Sequence, residues 1–226
     1  MARFLAIHRS SANLHEIKHN TPVLKTIIVI LLSIALCQPL SAQDDDMGAA
    51  GKMVRANQAM KERNYTLAAK LYQEVLKEVP EDVSVKQNLA NAWIQDKKFK
   101  DADSMLNVMI ENDSNEAGNY WYKGLCNERQ LKDSAAAVNF KQYIQKQSGN
   151  ATADVKAWLH VGSAYRRMMH EKGLNTAQFD DMVYHYKYYL QVNPYDPFAD
   201  KLLLFLQQVT PKKPESGELL IWDEKS

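Results

Sequence analysis

The sequence predicts an all-α chain, a solenoid of antiparallel helix hairpins, on three observations. First, the pattern of residues 64–80, NYTLAAKLYQEVLKEVP, returns at a fixed interval of 34 residues, a spacing typical of helical-hairpin arrays. Tyr65, Ala68, Tyr72, Val75 and Leu76 fall on Phe99, Ala102, Leu106, Met109 and Ile110, then on Asp133, Ala136, Phe140, Tyr143 and Ile144. Second, small residues recur at one place in the first helix of each hairpin (Ala56, Ala90, Gly124, Gly162) and at one place in the second (Ala68, Ala102, Ala136). They let paired helices approach closely, while Tyr72, Leu106, Phe140 and Tyr186 fill the space between neighbours. Third, turn formers and prolines punctuate the chain where the period needs an end. No hairpin of this size buries its apolar face alone, so the stack is the folding unit.

The chain begins with a leader, assigned to residues 1–42. Residues 26–36, TIIVILLSIAL, are apolar apart from Thr26 and Ser33 and follow Lys25. That length suits a signal-peptide core, whereas a membrane-spanning helix needs about 20 apolar residues. Ala42 suits the position before a cut, so cleavage is expected before Gln43, and the chain is read as exported to the periplasm or cell envelope of a bacterium. Two other readings remain. Cys37 could carry a lipid anchor, although Leu36 before it is a poor fit, or the leader could stay uncleaved as an anchor. The stretch before Val23 is longer than a leader needs, which translation starting near Val23 or Leu24 would explain. Its histidines, His8, His15 and His19, are not read as metal ligands.

Residues 43–48 read as a flexible acidic linker and 49–209 as the solenoid. The first hairpin is 51–63 and 65–78, turning at Asn64 and stopping before Pro80, which supplies no amide donor and disfavours helix in the residue before it. The second is 84–96 and 99–111, closed by ENDSN; the third is 117–129 and 133–147, closed by SGN at 148–150. The fourth departs from the period: 154–170, a loop at 172–178, then 179–194, which starts late and has Met182 in place of the small alanine. Residues 197–208 read as a terminal helix covering the last hairpin. The tail, 210–226, shifts to PKKPESGE and is read as disordered, with a second reading in which Leu219, Leu220, Ile221 and Trp222 dock on a partner or back on the solenoid.

Composition narrows function. The formal net charge is +1, and residues 1–42 hold four of the 28 basic and one of the 27 acidic residues, so the remainder stands at −2. That excludes a basic nucleic-acid footprint and a polybasic membrane patch. The two cysteines, Cys37 and Cys126, build neither an intrachain disulfide framework nor a cysteine zinc site. Cys126 reads as a small core residue.

At these residues the chain resembles the tetratricopeptide repeat (TPR) family over about residues 49–194. The 34-residue period, the small residues, Trp158 with Gly162 and Tyr165, and Pro80 and Pro194 at repeat ends carry the resemblance. It implies a right-handed α-solenoid of about four repeats plus a C-terminal capping helix. The chain departs from the pattern where the first repeat lacks a large aromatic in its first helix, where Ser114 replaces a proline, and where Asp133 replaces an aromatic.

No nucleophile elbow, phosphate loop or HExxH pattern is present, so the chain is read as non-catalytic, without cofactor or metal. Of the later histidines, His160 and His170 form no close pair with another histidine, and His185 reads as an exposed helix residue supported by Asp181. The resemblance implies that extended peptides bind a concave face lined by the first helices. Helical offsets place Asn57, Lys61, Gln87, Asn88, Asn91, Trp121, Arg129, Lys156, His160, Arg166 and Arg167 on or near it. Asparagine amides can grip a ligand backbone from both sides, and Arg129, Arg166 and Arg167 would favour acidic side chains. TPR domains that clamp a C-terminal carboxylate use two asparagines and three cations. Asn57 and Asn88 match, but Met53, Gly118 and Tyr122 occupy the cationic places, which disfavours that clamp. Tyr184, Tyr188 and Tyr195 form a second candidate surface, either an interface or local contacts with the terminal helix.

The function expected is a protein–protein scaffold or adaptor of the cell envelope. The alternative is a structural subunit of a larger complex, packing through its convex face and tail. The partner is a protein or peptide, with no nucleic acid or small-molecule substrate, and with membrane involved only through an uncleaved leader.

Overall fold

A computed structural model describes residues 47–147 and 155–222. The leader and its cut before Gln43, the acidic run 44–46, the 148–150 turn and residues 223–226 lie outside the described residues. Gly48–Ser226 forms one compact unit. Its described residues hold nine α-helices: α1 Ala49–Lys61, α2 Tyr65–Glu78, α3 Val83–Gln95, α4 Phe99–Asn112, α5 Ala117–Arg129, α6 Asp133–Lys146, α7 Lys156–Glu171, α8 Thr176–Val192 and α9 Ala199–Val209. None is long and apolar enough to cross a membrane. Each helix contacts the next along the chain, and α3 also reaches α5. The helices pair as four hairpins, α1–α2 to α7–α8, with α9 against the last.

Local chemistry sets the boundaries. The turn inside each of the first three hairpins uses one backbone form: Arg63, Lys97 and Leu131 adopt left-handed φ of 61°, 61° and 58°. The following amide bonds back to the helix, Asn64 N to Ala59 O at 2.8 Å, Lys98 N to Trp93 O at 2.8 Å and Lys132 N to Asn127 O at 2.9 Å. This 6→1 bond satisfies a carbonyl the helix end leaves open. Helix starts are capped by Asn64, Asp82 and Glu116, whose side chains accept from Leu67 N, Val85 N and Gly118 N. The fourth hairpin corrects the expected loop at 172–178. α8 begins at Thr176, three residues before Phe179, because Asn175 and Gln178 form a reciprocal capping box.

The small residues do what their spacing predicts. Ala56, Ala68, Ala90, Ala102 and Ala136 are fully buried, as are Leu106 and Phe140. A Cβ on Gly124 would lie 2.7 Å from the Phe140 ring, and one on Gly162 2.5 Å from the Tyr186 ring. Cys126 is buried and unpaired, its thiol pushed up in pKa by burial. His185 corrects its expectation. It is 5% exposed, its Nδ1 contacts the Asp181 carbonyl at 2.7 Å and its ring lies 5.1 Å from that of Trp158. Burial holds the imidazole below its ordinary pKa. Tyr188 stacks on Trp158 of α7 at 3.9 Å and Tyr184 meets its edge at 5.8 Å, so these tyrosines rest on the neighbouring helix rather than on α9. Tyr195 stands almost fully exposed.

The tail differs from the expected disorder in its described part. After a short 3₁₀ turn at Thr210–Lys212, the chain returns to the α7–α8 turn. Leu174 and Leu220 exchange backbone hydrogen bonds of 3.0 and 2.9 Å. Thr176 donates to the Pro214 carbonyl and Lys213 pairs with Asp180. Trp222 is buried, with Lys212 Nζ 4.1 Å from the centre of its ring. Gly173, at φ +83°, sits where the tail crosses, and a Cβ there would approach the Leu220 carbonyl to 3.2 Å. Apolar Leu220 and Trp222 supply the burial that a disordered tail would forgo.

Candidate protein-binding face

The first helices α1, α3, α5 and α7 place the expected residues on four parallel supports, and the structure sorts those residues into two groups. One group braces the array. The Asn57 Oδ1 accepts from the Tyr72 hydroxyl at 2.7 Å, tying α1 to α2. The Gln87 amide donates to Asn119 at 3.1 Å and Glu116 at 3.3 Å, tying α3 to α5. Between α5 and α7 the strut is ionic. Glu128 accepts from Arg167 at 2.9 Å and meets His160 Nδ1 at 2.9 Å, while Arg167 Nε donates to Asp133 at 2.7 Å. His160 stacks on Phe140 at 4.7 Å and meets the edge of Trp121 at 5.5 Å.

Electrostatics follow from that geometry. Burial alone would raise the Glu128 carboxyl, but the His160 and Arg167 contacts outweigh it and hold it below the usual carboxylate range. Burial acts against the charged Arg167 guanidinium, and its bonds to Asp133 and Glu128 reverse that and raise its pKa. Arg167 is therefore corrected from a ligand-facing cation to a structural one, because two carboxylates already occupy its fork.

The other group faces outward. Lys61 and Arg129 are exposed in the last turns of α1 and α5, and neither has a side-chain partner among the described residues. Asn88 is half-buried on α3 and makes no side-chain hydrogen bond among the described residues. Asn91 is half-buried and accepts only a long 3.4 Å bond from Gln95. Trp121 is half-buried beside Phe140, Tyr143 and His160. Lys156 is exposed in the first turn of α7. Arg166 lies over the Phe205 ring, 4.2 Å from its centroid, and so belongs with α9. Glu128, Asn119 and the α9 residues were not singled out by sequence reading. Only the oddity of an aspartate at 133 hinted at a buried charge partner.

Residues 59–123 match the tetratricopeptide repeat family model. Over that stretch the chain resembles tetratricopeptide repeats. Such arrays use their extended concave surface to bind other molecules. Among solved structures, the crystal structure of MamA protein is similar at 17% identity over 73% of this chain and 91% of that one, with a TM-score of 0.52. The first TPR of Spaghetti (RPAP3), bound to the HSP90 peptide SRMEEVD, is similar at 18% identity over 53% of this chain and 92% of that one, with a TM-score of 0.46. TTC0263, a thermophilic TPR protein of Thermus thermophilus, is similar at 13% identity over 73% and 100%, with a TM-score of 0.45. No curated protein matches the chain. At these identities the likeness is one of fold.

Proposed function

We propose that the TPR array is a non-catalytic scaffold that holds an extended segment of a partner protein against its first helices. The observation that carries this reading is the division of labour on that face. Its middle is braced internally through Glu128, His160 and Arg167, while Lys61, Asn88 and Arg129 take no part in the fold's polar contacts among the described residues. A half-buried amide without a partner is a poor feature for stability and a good one for gripping a peptide backbone. Trp121, on the same helix as Arg129, supplies the rigid aromatic surface that interfaces favour.

The test is a pull-down with the double variant Asn88→Ala, Arg129→Glu, checked by circular dichroism. Recovery of the partner is expected to fall about tenfold or more with helicity unchanged. Recovery equal to the wild type would remove this face from the account.

The setting we propose is the bacterial cell envelope, supported by the apolar run 26–36 and the small residue Ala42. Mass measurement of the mature N-terminus tests it, with Gln43 expected first. A second reading, a structural subunit docking through its tail and convex side, is supported by Leu219 and Ile221, which are 60% and 65% exposed beside the buried Trp222. The double variant Leu219→Ser, Ile221→Ser separates the two. Loss of assembly with groove binding intact would favour the structural role.

A further inference from the structure

The tail that returns over the α7–α8 turn is an extended segment with only one edge in use. Both backbone groups of Leu220 bond to Leu174, and the Trp222 amide donates to the Met169 carbonyl at 3.4 Å. The His170 ring bonds the Trp222 carbonyl at 2.5 Å, holding the end of the segment to α7. In an extended chain successive residues aim their amides and carbonyls to opposite sides. The groups of Leu219 and Ile221 therefore lie along the other edge, and neither residue makes a hydrogen bond among the described residues. Side chains alternate as well. Trp222 is buried and Leu220 half-buried, whereas Leu219 and Ile221 flank Gly173 and stay mostly exposed.

Such an edge is a template for another strand, and chains that avoid the pairing guard it with lysine, proline or a bulge. Residues 217–222, GELLIW, contain neither lysine nor proline. The lysines just before them are engaged elsewhere, Lys212 over the Trp222 ring and Lys213 with Asp180. A lone strand pair is also marginal in water, so a single bridge gains from further pairing.

The segment fits its own copy. Two tails placed antiparallel about a twofold axis at Leu220 set Leu219 of each opposite Ile221 of the other. The open amides and carbonyls then meet in pairs, and two apolar contacts form on one face. This register sets Glu215 opposite Lys225 and no like charges opposite each other. Moving the axis to Leu219 would oppose Glu215 with Asp223, and moving it to Ile221 would oppose Glu218 with Glu224, which is unfavourable.

We propose that two copies of the chain associate by antiparallel pairing of their tails, each tail lying between its own Leu174 and the tail of the other copy. Closed twofold pairs are the commonest symmetric assembly, and a contact this small makes the dimer weak and dependent on concentration. The inference goes beyond the scaffold reading and shares no residue with the first-helix face.

The test is sedimentation velocity of the full chain from micromolar to millimolar concentration, with amide hydrogen exchange read at both ends of that range. A reversible shift from monomer to dimer is expected, with no larger species. The Leu219 and Ile221 amides should exchange freely in the monomer and slow about tenfold or more in the dimer. Ile221→Pro removes one outward donor and none of the bonds to Leu174 or Met169, so it should abolish the dimer while the Leu174 and Leu220 amides keep their protection. Leu219→Lys with Ile221→Lys guards the same edge with charge and should also leave a monomer. Val54→Lys, at an exposed apolar position on α1, should dimerise as the wild type does. A dimer whose Leu219 and Ile221 amides exchange freely, or one undiminished in the double lysine variant, would overturn the proposal. A monomer at every concentration would also overturn it and leave the edge to a strand of another protein. The Asn88 and Arg129 pull-down judges the scaffold reading separately.

Discussion

Asp133 stands where the repeat pattern has Tyr65 and Phe99, at the first position of the second helix. It is 4% exposed, and one carboxylate oxygen is bound by Arg167 while the other is buried without a hydrogen-bond partner. A buried carboxylate in that state depends on its one cation. Removing the cation leaves an uncompensated buried charge, which costs about 3–5 kcal/mol. Arg167→Ala is therefore expected to lower stability by about 3 kcal/mol, read as the shift in urea midpoint. Asp133→Phe restores the residue type of the other repeats and leaves Arg167 bonded to Glu128, so its cost should be much smaller. Adding Asp133→Phe to Arg167→Ala should recover most of the loss, and failure to recover would show that Arg167 matters through Glu128 instead. The same pair shows where sequence reading stops. Helical offsets placed Arg167 on the ligand face, and no local signal said that an acid 34 residues earlier would claim it. His185 was misread for a similar reason, since its burial comes from Trp158 on another helix.

Helix by helix, glycine is needed in one place and absent from another where it would fit better. Gly162 in α7 faces the Tyr186 ring, and a Cβ would stand 2.5 Å from it. Alanine gains about 1 kcal/mol in helix propensity over glycine, but overpacking a close contact costs about 1–3 kcal/mol, and a ring held in the core cannot swing aside. Gly162→Ala is expected to destabilise by up to about 2 kcal/mol in urea unfolding, and a gain in stability would show that α7 and α8 can part. Leu131 is the opposite case. It holds a φ of 58° in the α5–α6 turn and is 70% exposed. A left-handed residue with a Cβ costs about 1–2 kcal/mol, and glycine costs about 0.4–1 kcal/mol through the unfolded chain. Leu131→Gly should therefore stabilise by up to about 1 kcal/mol, and a loss would mean its side chain makes contacts that matter. Element positions were legible because periodicity, prolines and small residues act locally. The α8 start was missed because Thr176 and Gln178 look like loop residues until Asn175 is seen to cap them. The docked tail was only one of two readings, since its partner, Leu174, lies in another turn.

Across the whole array the core is unevenly shared. One large cluster joins α6 to α9 and includes Met169, Leu174, Tyr186 and Trp222, while smaller clusters hold α1 to α5. In a linear array stability is a sum of repeat and neighbour terms, so different stretches can open separately. Among the described residues α1 contacts no hairpin before it, its N-cap Gly48 makes no side-chain bond so that Ala49 N relies on Glu78 of α2 at 3.0 Å, and Val54 is 71% exposed. Native-state hydrogen exchange should therefore show α1 opening at the lowest free energy and α7 and α8 at the highest. Trp222→Ala probes this order from the other end. Truncating a buried tryptophan costs about 3–5 kcal/mol in a well-filled core, and somewhat less here because Trp222 packs at the edge of one. If the array opens by sections, the variant should speed exchange in α7, α8 and α9 and leave α1 to α4 at wild-type rates. Equal acceleration along the whole chain would mean that it unfolds as one cooperative unit. The docked tail with its open edge would then depend on the stability of the entire solenoid, whereas sectional opening would let it form and dissolve while the N-terminal hairpins stay folded.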